Sequence, residues 1–164
     1  SSRAPEKCTN WPDNVVDIKC GESHTLILTS NMEVYSCGSN MLCQLGREVD
    51  RRSFSVEKIE DLPEIIRIEC GNWHSMCLDI NYNLYIFGYN TFGQLGLNDK
   101  DNRVLPIQHS LSNIIDISSK GNHTFVKTSD NEIYGFGRNS QLGINTEEKQ
   151  LSPVKILEGA EYIW

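Results

Sequence analysis

The feature that most constrains this chain is an internal repeat. Three times, at 34–46, 84–96 and 133–143, the sequence passes through an aliphatic residue, Tyr, Gly and Asn and then reaches Gln-Leu-Gly. A His precedes each copy by 10 residues, since 34−24, 84−74 and 133−123 are equal. The period is therefore 50 residues and then 49, a length typical of solenoids and propellers. Repeats of this kind stack into broad binding surfaces and seldom enclose a single catalytic site.

Each repeat has the pattern of short strands. Runs such as 25–29 (Thr-Leu-Ile-Leu-Thr) and 84–87 (Leu-Tyr-Ile-Phe) are rich in aliphatic and aromatic residues and are bounded by Asn, Asp and Gly. Polar links at 30–32, 81–83 and 130–132 join the His strand to the Tyr strand, and Asn or Asp there suits the positive φ of a tight hairpin. Each link therefore predicts a hairpin.

Two further strands complete each repeat. One precedes the His, at 15–20, 65–70 and 114–119, and a weaker one follows the polar loop, at 56–59, 106–108 and 153–156. Four strands per repeat are typical of a propeller blade. The sequence thus predicts an all-β fold of about three four-stranded antiparallel units, at approximately 15–59, 65–108 and 114–156.

The two ends of the chain also match parts of the repeat. Residues 5–8 resemble 153–156, and 162–164 are in register with the start of the second unit. We therefore expect a stray strand from a preceding unit at 5–8 and the start of a next unit at 162–164. Propellers close with about 4 to 8 blades. Three units predict an incomplete ring, completed by missing repeats of a longer chain or by a second copy.

The ordered motifs resemble a known family. Gly21-Glu22-Ser23-His24-Thr25 and Gly71-Asn72-Trp73-His74-Ser75, each followed by an aliphatic-Tyr strand, Gly-x-Asn and Gln-Leu-Gly, are similar to the repeats of the regulator of chromosome condensation family. The resemblance covers nearly the whole chain and implies a propeller of the seven-bladed type, of which three repeats are present. Members of that family serve as an exchange factor for the GTPase Ran, as chromatin-binding proteins or as interaction modules beside other domains.

Two departures from the repeat pattern carry expectations. Lys120 stands where Gly21 and Gly71 stand, so we expect the third turn to shift or lose the positive-φ residue assigned to those glycines. Cys43 replaces the Gly found at Gly93, which predicts local repacking in the first unit.

The six Cys residues predict neither a disulfide framework nor a metal site. No Cys-x-x-Cys occurs, and several Cys stand at apolar positions of the repeat; for example, Cys77 aligns with Ile27. We expect free, mostly buried thiols in a reducing compartment, either cytoplasmic or nuclear. No metal and no cofactor is expected.

The repeated His residues have two interpretations. A metal site is one, but equivalent side chains of successive blades diverge and no acidic partner recurs beside all three. The expected role is a hydrogen bond within the same blade that fixes the preceding turn. His109, in a loop without a repeat counterpart, is expected to be solvated.

Charge and motif searches exclude several classes of function. The formal net charge of −7 and pI near 5.1 argue against nucleic-acid binding by this segment. No apolar run is long enough to span a membrane. Walker, dinucleotide-loop and Gly-x-Ser-x-Gly motifs are absent from the sequence, so we expect no enzyme.

Two functional hypotheses remain. The first is a protein-interaction or scaffold propeller, part of a larger regulatory protein. The alternative is a guanine-nucleotide exchange factor for a Ran-like small GTPase, which needs a rigid binding face and no nucleophile. Trp73 can be either a partner contact or a packing residue. The predicted contact residues lie in the Gly-x-x-His turns and in the loops after Gln-Leu-Gly: Glu22, Ser23, His24, Asn72, Trp73, His74, Asn122, His123, Arg51 and Asp99.

Overall fold

The computed structural model of the chain describes residues 10–143 and 150–158. It contains twelve strands and one helical turn in these residues. The strands expected at 5–8 and 162–164, and Cys8, lie outside the described residues. The elements are β1 Val15–Cys20, β2 His24–Thr29, β3 Val34–Ser39, β4 Arg52–Lys58, β5 Ile65–Cys70, β6 His74–Asp79, β7 Leu84–Gly88, β8 Arg103–Gln108, β9 Ile114–Lys120, β10 His123–Thr128, β11 Glu132–Gly137, α1 Asn139–Leu142 and β12 Gln150–Glu158.

The strands form three four-stranded antiparallel sheets. Their strand orders are β1-β2-β3-β4, β5-β6-β7-β8 and β9-β10-β11-β12, so each strand pairs with its neighbours along the chain. We refer to these sheets as units 1, 2 and 3. The prediction of all-β propeller blades is confirmed, and the three sheets do not close into a ring. Their fourth strands begin earlier than expected, at Arg52, Arg103 and Gln150.

The hairpins between the second and third strands form as predicted, but the residue that turns the chain differs. The left-handed conformation falls on Met32 (φ 61°), Tyr82 (φ 64°) and Asn131 (φ 58°). In units 1 and 2 the preceding Asn31 and Asn81 are thus not the positive-φ residues. The hairpin position tolerates Met and Tyr because the left-handed region is sterically allowed for residues that are not β-branched. Met32 is half-buried there and Tyr82 is exposed.

The hydrophobic core lies between neighbouring sheets. One cluster joins Leu26 and Leu28 of unit 1 to Ile68, Cys77 and Phe87 of unit 2. The second cluster joins the opposite side of unit 2 to unit 3: Met76, Leu78, Ile86, Leu95, Ile114, Ile117, Val126 and Phe136. Successive residues of β6 therefore point to different neighbours, as the two-residue period of a strand requires. This face-to-face stacking of separate sheets is the arrangement of propeller blades.

The Asn and Gln-Leu-Gly elements of the repeat hold the loop that follows the third strand. In unit 2 the Asn90 amide donates to Asp99 Oδ1 at 2.9 Å, and its oxygen accepts the Leu95 amide hydrogen at 3.0 Å. Gln94 Oε1 accepts from the backbone N–H of Phe92. Leu95 is fully buried, and Gly96 takes the left-handed conformation with φ 66°. The Asn and Gln-Leu-Gly residues of the repeat thus stabilise one loop conformation through hydrogen bonds and packing within the loop itself.

The Gly-x-x-His turns need glycine for a different reason from the one expected. Neither Gly21 nor Gly71 has a positive φ; instead, a Cβ on Gly21 would overlap the imidazole of His24, and one on Gly71 the imidazole of His74. In unit 3 the left-handed residue is Gly121, with φ 64°. The expectation that Lys120 displaces a positive-φ residue was therefore wrong, because space for a ring and not backbone conformation selects Gly21 and Gly71.

The cysteines among the described residues are free, but the expectation of general burial was wrong. Cys70 and Cys77 are buried, Cys37 and Cys43 are half-buried, and Cys20 is exposed. Cys70 packs against unit 1 and its thiol lies 3.6 Å from the carbonyl of Lys19. Cys20 occupies the same repeat position in unit 1, on the side of the sheet that no described sheet covers. Burial at this position follows from the neighbouring blade.

Candidate functional site

The two ends of the stacked sheets carry different kinds of connection. The Gly-x-x-His turns and the long loops after the third strand lie at one end, which we call the loop face. The hairpins at 30–33, 80–83 and 129–131 and the links between units lie at the other, the hairpin face. On the loop face the backbone N–H of Glu22 donates to Asn72 O, and that of Asn72 to Gly121 O, both at 2.9 Å. Consecutive turns are thus joined by main-chain bonds.

Beneath the loop face, the repeated His connects one unit to the next. His24 Nε2 lies 2.9 Å from Ser75 Oγ of unit 2, and Ser75 Oγ donates to the Gln44 carbonyl of unit 1 at 2.8 Å. Because the Ser75 proton is used on that carbonyl, Nε2 carries the hydrogen and donates to Oγ. The expectation of a bond within the same blade was therefore wrong. The side chain spans the seam between two blades because β2 packs against β5, the strand that pairs with β6.

The second seam repeats this arrangement with one addition. His74 Nε2 lies 2.9 Å from Thr124 Oγ1, and Thr124 Oγ1 donates to the Gln94 carbonyl at 2.9 Å. Ser119 Oγ also lies 3.0 Å from His74 Nε2 and donates to the His123 carbonyl. His74 therefore donates between two hydroxyl oxygens, whereas His24 has one.

Both seam histidines are held neutral. Burial lowers the pKa of His24 from its ordinary value of 6.5 to about 4. Burial, together with the charges that His24 and His123 would carry, lowers the pKa of His74 to about 3. Within the described residues, Nδ1 of His24 and Nδ1 of His74 have no hydrogen-bond partner. A proton added there would be a buried donor without an acceptor, so these histidines fit a structural role.

Above the second seam, three aromatic side chains and an arginine form a continuous cluster on the loop face. Trp73 and Tyr89 meet edge to face with ring centroids 5.9 Å apart, and Tyr89 meets Phe92 in the same way at 6.0 Å. The guanidinium of Arg138, from unit 3, lies 5.6 Å from the Phe92 centroid. We call these four residues the aromatic cluster. Its rings are half-buried, and Arg138 is exposed.

The local backbone explains why the cluster assembles. The N–H of Tyr89 donates to the carbonyl of Trp73 at 2.9 Å, so the end of β7 is tied to the Gly-x-x-His turn. In unit 1 the same bond joins Ser39 to Ser23 at 2.8 Å. The backbone is the same in both units, and only the side chains differ.

The predicted contact residues fall into two groups. Glu22, Ser23 and Arg51 are exposed on the loop face, and Trp73 and Asn72 are half-buried there. His24 and His74 lie beneath that face, in the seams.

The remaining predicted residues are engaged in the fold. Asn122 is 8% exposed, and the ring of His123 packs edge to face on Phe125. Asp99 supports its own loop, because its carboxylate accepts from Asn90 and pairs with Arg103. Burial favours a higher pKa for Asp99, but the hydrogen bonds from Arg103, the Asp101 backbone and Asn90 together hold that pKa below its ordinary value. Asp99 is thus a support of the loop face.

Two features escaped sequence reasoning. Tyr89, Phe92 and Arg138 were not singled out, although the repeat register places Tyr89 beside the Trp73 turn.

His109 was expected to be solvated and is buried, at 4% exposure. It donates to Gly96 O and accepts from the Leu111 N–H, and its ring stacks on Phe136 with centroids 5.4 Å apart. Burial lowers its pKa. The repeat period could have predicted this burial, because His109 lies 50 residues after Ile59, which is a core residue.

Neither a metal centre nor a membrane span is found in the described part of the chain. Among residues 10–143 and 150–158, no group of three His, Cys, Asp or Glu side chains is arranged to hold a metal ion. Within the same residues, no helix has the length and hydropathy needed to cross a bilayer.

Stacked four-stranded sheets with repeated seam histidines define a β-propeller repeat protein. The sequence profile of the regulator of chromosome condensation (RCC1) repeat matches residues 33–78 and 83–126. A second profile of the same repeat matches 15–40, 65–94 and 114–141. The chain belongs to the RCC1 repeat family.

Curated relatives include the probable E3 ubiquitin-protein ligase HERC4 of Mus musculus and of Homo sapiens. Each is 35% identical over 169 residues, which cover 93% of this chain and 16% of the relative. The chain thus spans about a sixth of the length of the curated relatives it matches.

Solved structures show the same fold. Human WBSCR16 aligns with a TM-score of 0.78 and 27% identity, covering 86% of this chain and 39% of that one. Prp20p from Saccharomyces cerevisiae, described together with its binding to Gsp1p and histones, aligns with a TM-score of 0.79 and 22% identity. That alignment covers 95% of this chain and 42% of the yeast protein.

Proposed function

We propose that this chain is a protein-interaction module whose loop face binds a partner protein and which acts as part of a larger regulatory protein in the cytoplasm or nucleus. The observation that carries the proposal is the contrast between interior and loop face. The seam bonds recur in both seams, whereas Trp73, Tyr89 and Phe92 of unit 2 stand where unit 1 has Ser23, Ser39 and Leu42.

A constant scaffold with differing loop residues is typical of binding proteins. Aromatic side chains in a rigid setting make good anchors, because they bury much area and lose little conformational entropy. The cluster is rigid here, since each ring packs on the next and Tyr89 is tied by its backbone to Trp73. The segment of HERC4 that this chain matches is 16% of the length of HERC4, which supports a module within a larger protein.

The alternative is an exchange factor for a Ran-like small GTPase. The structural similarity to yeast RCC1 (Prp20) suggests this function, but at 22–23% identity that similarity shows the fold alone. Among the described loop-face turns, Glu22 is the single carboxylate in the Gly-x-x-His positions. We therefore favour the interaction module.

The experiment is affinity capture with the full 164-residue chain, quantified by mass spectrometry. Trp73→Ala is expected to remove specific partners, because it deletes one end of the aromatic cluster. Tyr82→Asn is the matched control: Tyr82 is an exposed aromatic on the hairpin face, and Asn accepts its left-handed backbone. Partners lost equally with both variants, or with neither, would contradict the proposal.

A further inference from the structure

The charged side chains are distributed unevenly between the two faces. Six cations of the described residues pair with a carboxylate: Lys19–Glu69, Arg47–Glu57, Lys58–Glu33, Arg67–Asp116, Arg103–Asp99 and Lys155–Glu132. Five exposed cations have no ion pair with a described carboxylate: Arg51, Arg52, Lys100, Lys120 and Arg138. All five lie on the loop face.

The hairpin face has the opposite balance. Its described exposed carboxylates are Asp13, Glu60, Asp61, Glu64 and Asp130. In the same part of the structure, the hairpin-face lysines Lys58 and Lys155 are both paired. Although the chain carries a net charge of −7, its loop face has five cations that form no ion pair with a described carboxylate. The hairpin face therefore repels an acidic ligand, whereas the loop face places its five cations beside four exposed carboxylates, Glu22, Glu48, Asp50 and Asp101, and can accept an acidic ligand at individual cations.

Two of the five cations differ from the others because each is stacked on an aromatic ring. Arg138 lies over Phe92, and Arg52 lies over Phe54 with 5.6 Å between guanidinium and ring centroid. Phe54 is 88% exposed, an unusual position for a large apolar side chain with no other support. A stacked guanidinium keeps its N–H edge open, and that edge matches a carboxylate with two parallel hydrogen bonds.

Each stacked arginine stands beside other groups that can contact a ligand. Arg52 lines an open cavity of about 260 Å³ together with Ser23, Ser39, Ser53 and Phe54. Around Arg138, the rings of Phe92, Tyr89 and Trp73 continue the surface across unit 2. Both places offer a cation that is already positioned, so less side-chain entropy is lost when a ligand binds.

We propose that the loop face recognises an acidic segment of its partner, with Arg52 and Arg138 each receiving a carboxylate. The inference rests on the proposed function and names the chemistry of the partner. An extended peptide with spaced Asp or Glu side chains fits better than a nucleic acid. A phosphate backbone carries about one charge per 1.7 Å of duplex and would also meet the exposed Glu22, Glu48, Asp50 and Asp101 of this face.

The test uses the full chain and a fluorescein-labelled peptide of four aspartates and three glycines, with the asparagine peptide as its neutral counterpart. Fluorescence anisotropy gives the affinity, and the arginine Nε–H signals in NMR spectra locate the contact. We expect saturable binding of the aspartate peptide alone, with shifts of the Arg52 and Arg138 signals. Equal binding of the asparagine peptide, or no binding of either, would overturn the proposal.

Variants separate stacked arginines from general positive charge. Arg138→Gln and Arg52→Gln should each weaken binding about tenfold, the loss of a charge-assisted pair. Lys100→Gln and Lys120→Gln remove the same charge from the same face without a stacked ring, and should change affinity by less than about threefold. Phe92→Leu keeps Arg138 but removes its support and should cost about threefold. Equal losses for all four cation variants would contradict specific recognition.

Two further results are informative. Tighter binding of a twelve-residue oligothymidine than of the peptide, lost in the same arginine variants, would overturn the inference in favour of nucleic acid. If Trp73→Ala abolishes partner capture while the aspartate peptide does not bind, the interaction module stands and the acidic-ligand inference falls. Thermal unfolding of each variant confirms that these exposed changes leave the fold intact.

Discussion

The seam between units 1 and 2 and the seam between units 2 and 3 use the same polar bond, but the second carries one contact more. His74 donates between Thr124 and Ser119, whereas His24 reaches Ser75 alone, because Cys70 occupies in the first seam the position that Ser119 occupies in the second. Cys70 instead joins the hydrophobic cluster between the sheets. One repeat position can therefore strengthen either the polar or the apolar part of a seam.

Residues on the loop face differ more between units than the seam residues do. The seam residues must satisfy a buried ring, so the bond from His through a hydroxyl to a Gln carbonyl is retained in both seams. Above it, Ser23, Ser39 and Leu42 give way to Trp73, Tyr89 and Phe92 with no change in the main-chain bond beneath them. Stability limits the first set of positions, while the second set is available for binding.

The largest expected effect is the loss of stability in acid. An unfolded His has a pKa near 6.5, whereas His24 titrates at about 4 and His74 at about 3 in the fold. Below pH 6.5 the unfolded chain therefore binds more protons, and the free energy of unfolding falls with decreasing pH. Between pH 6.5 and 4 each histidine should remove about 3 kcal/mol. Guanidinium unfolding followed by circular dichroism across this range measures the loss.

The effects of the two seam histidines on stability should become distinguishable below pH 4. There the contribution of His24 has ended, and of the two histidines only His74 continues to destabilise the chain, down to about pH 3. His24→Gln and His74→Gln keep a nitrogen donor at the end of the side chain but do not titrate. Each should flatten the pH dependence over its own window, and an unchanged slope in either variant would show that the corresponding histidine is not the titrating group.

The next effect is the cost of removing each ring at pH 7.5. His74→Ala should lower the free energy of unfolding by about 3 kcal/mol, because it leaves a cavity and two hydroxyl oxygens without their donor. His24→Ala should cost about 2 kcal/mol, since only the Ser75 oxygen loses its donor. Urea unfolding of both variants makes the comparison. Equal costs would mean that Ser119 adds nothing to the second seam.

The sequence predicted the strands well because alternation and turn residues are local properties. It could not show the seam bonds, since Ser75 and Thr124 contact a His some 50 residues earlier, and that contact exists only after the sheets stack. The sequence also could not show why residue 21 is Gly. The absence of a Cβ there leaves room for the imidazole of His24, and this contact cannot be inferred from the φ preferences of glycine. Of the aromatic cluster, the sequence indicated Trp73 alone. Its neighbours Tyr89, Phe92 and Arg138 come together through the end of β7 and the third unit.

A smaller effect should follow from exchanging the residues that distinguish the two loops. Cys43 holds a left-handed conformation, φ 66°, at the position of Gly93, φ 77°. Cys43→Gly relieves backbone strain and should raise stability by about 0.5 kcal/mol, the difference between that strain and the added freedom of the unfolded chain. Gly93→Cys should lower stability by about 2 kcal/mol, because a Cβ there lies 2.8 Å from Leu151 Cα and Gln150 O of unit 3. Differential scanning calorimetry compares the pair, and destabilisation by Cys43→Gly would show that the thiol supports the loop.

The smallest expected effect is on nucleotide release from a small GTPase, where we expect none. An exchange factor must hold the nucleotide-free GTPase over a large area, and stable specific interfaces bury roughly 1,200 to 2,000 Å² in total. Three units offer part of such a face, and the Gly-x-x-His turn of the described unit 2 carries Asn72 and Trp73 where unit 1 carries Glu22 and Ser23. Release of a fluorescent guanine nucleotide from Ran should therefore proceed at its intrinsic rate with the chain in excess. An acceleration that rises with concentration and disappears in Glu22→Ala, while Glu60→Ala on the hairpin face retains it, would make exchange the leading function and assign the loop face to a GTPase.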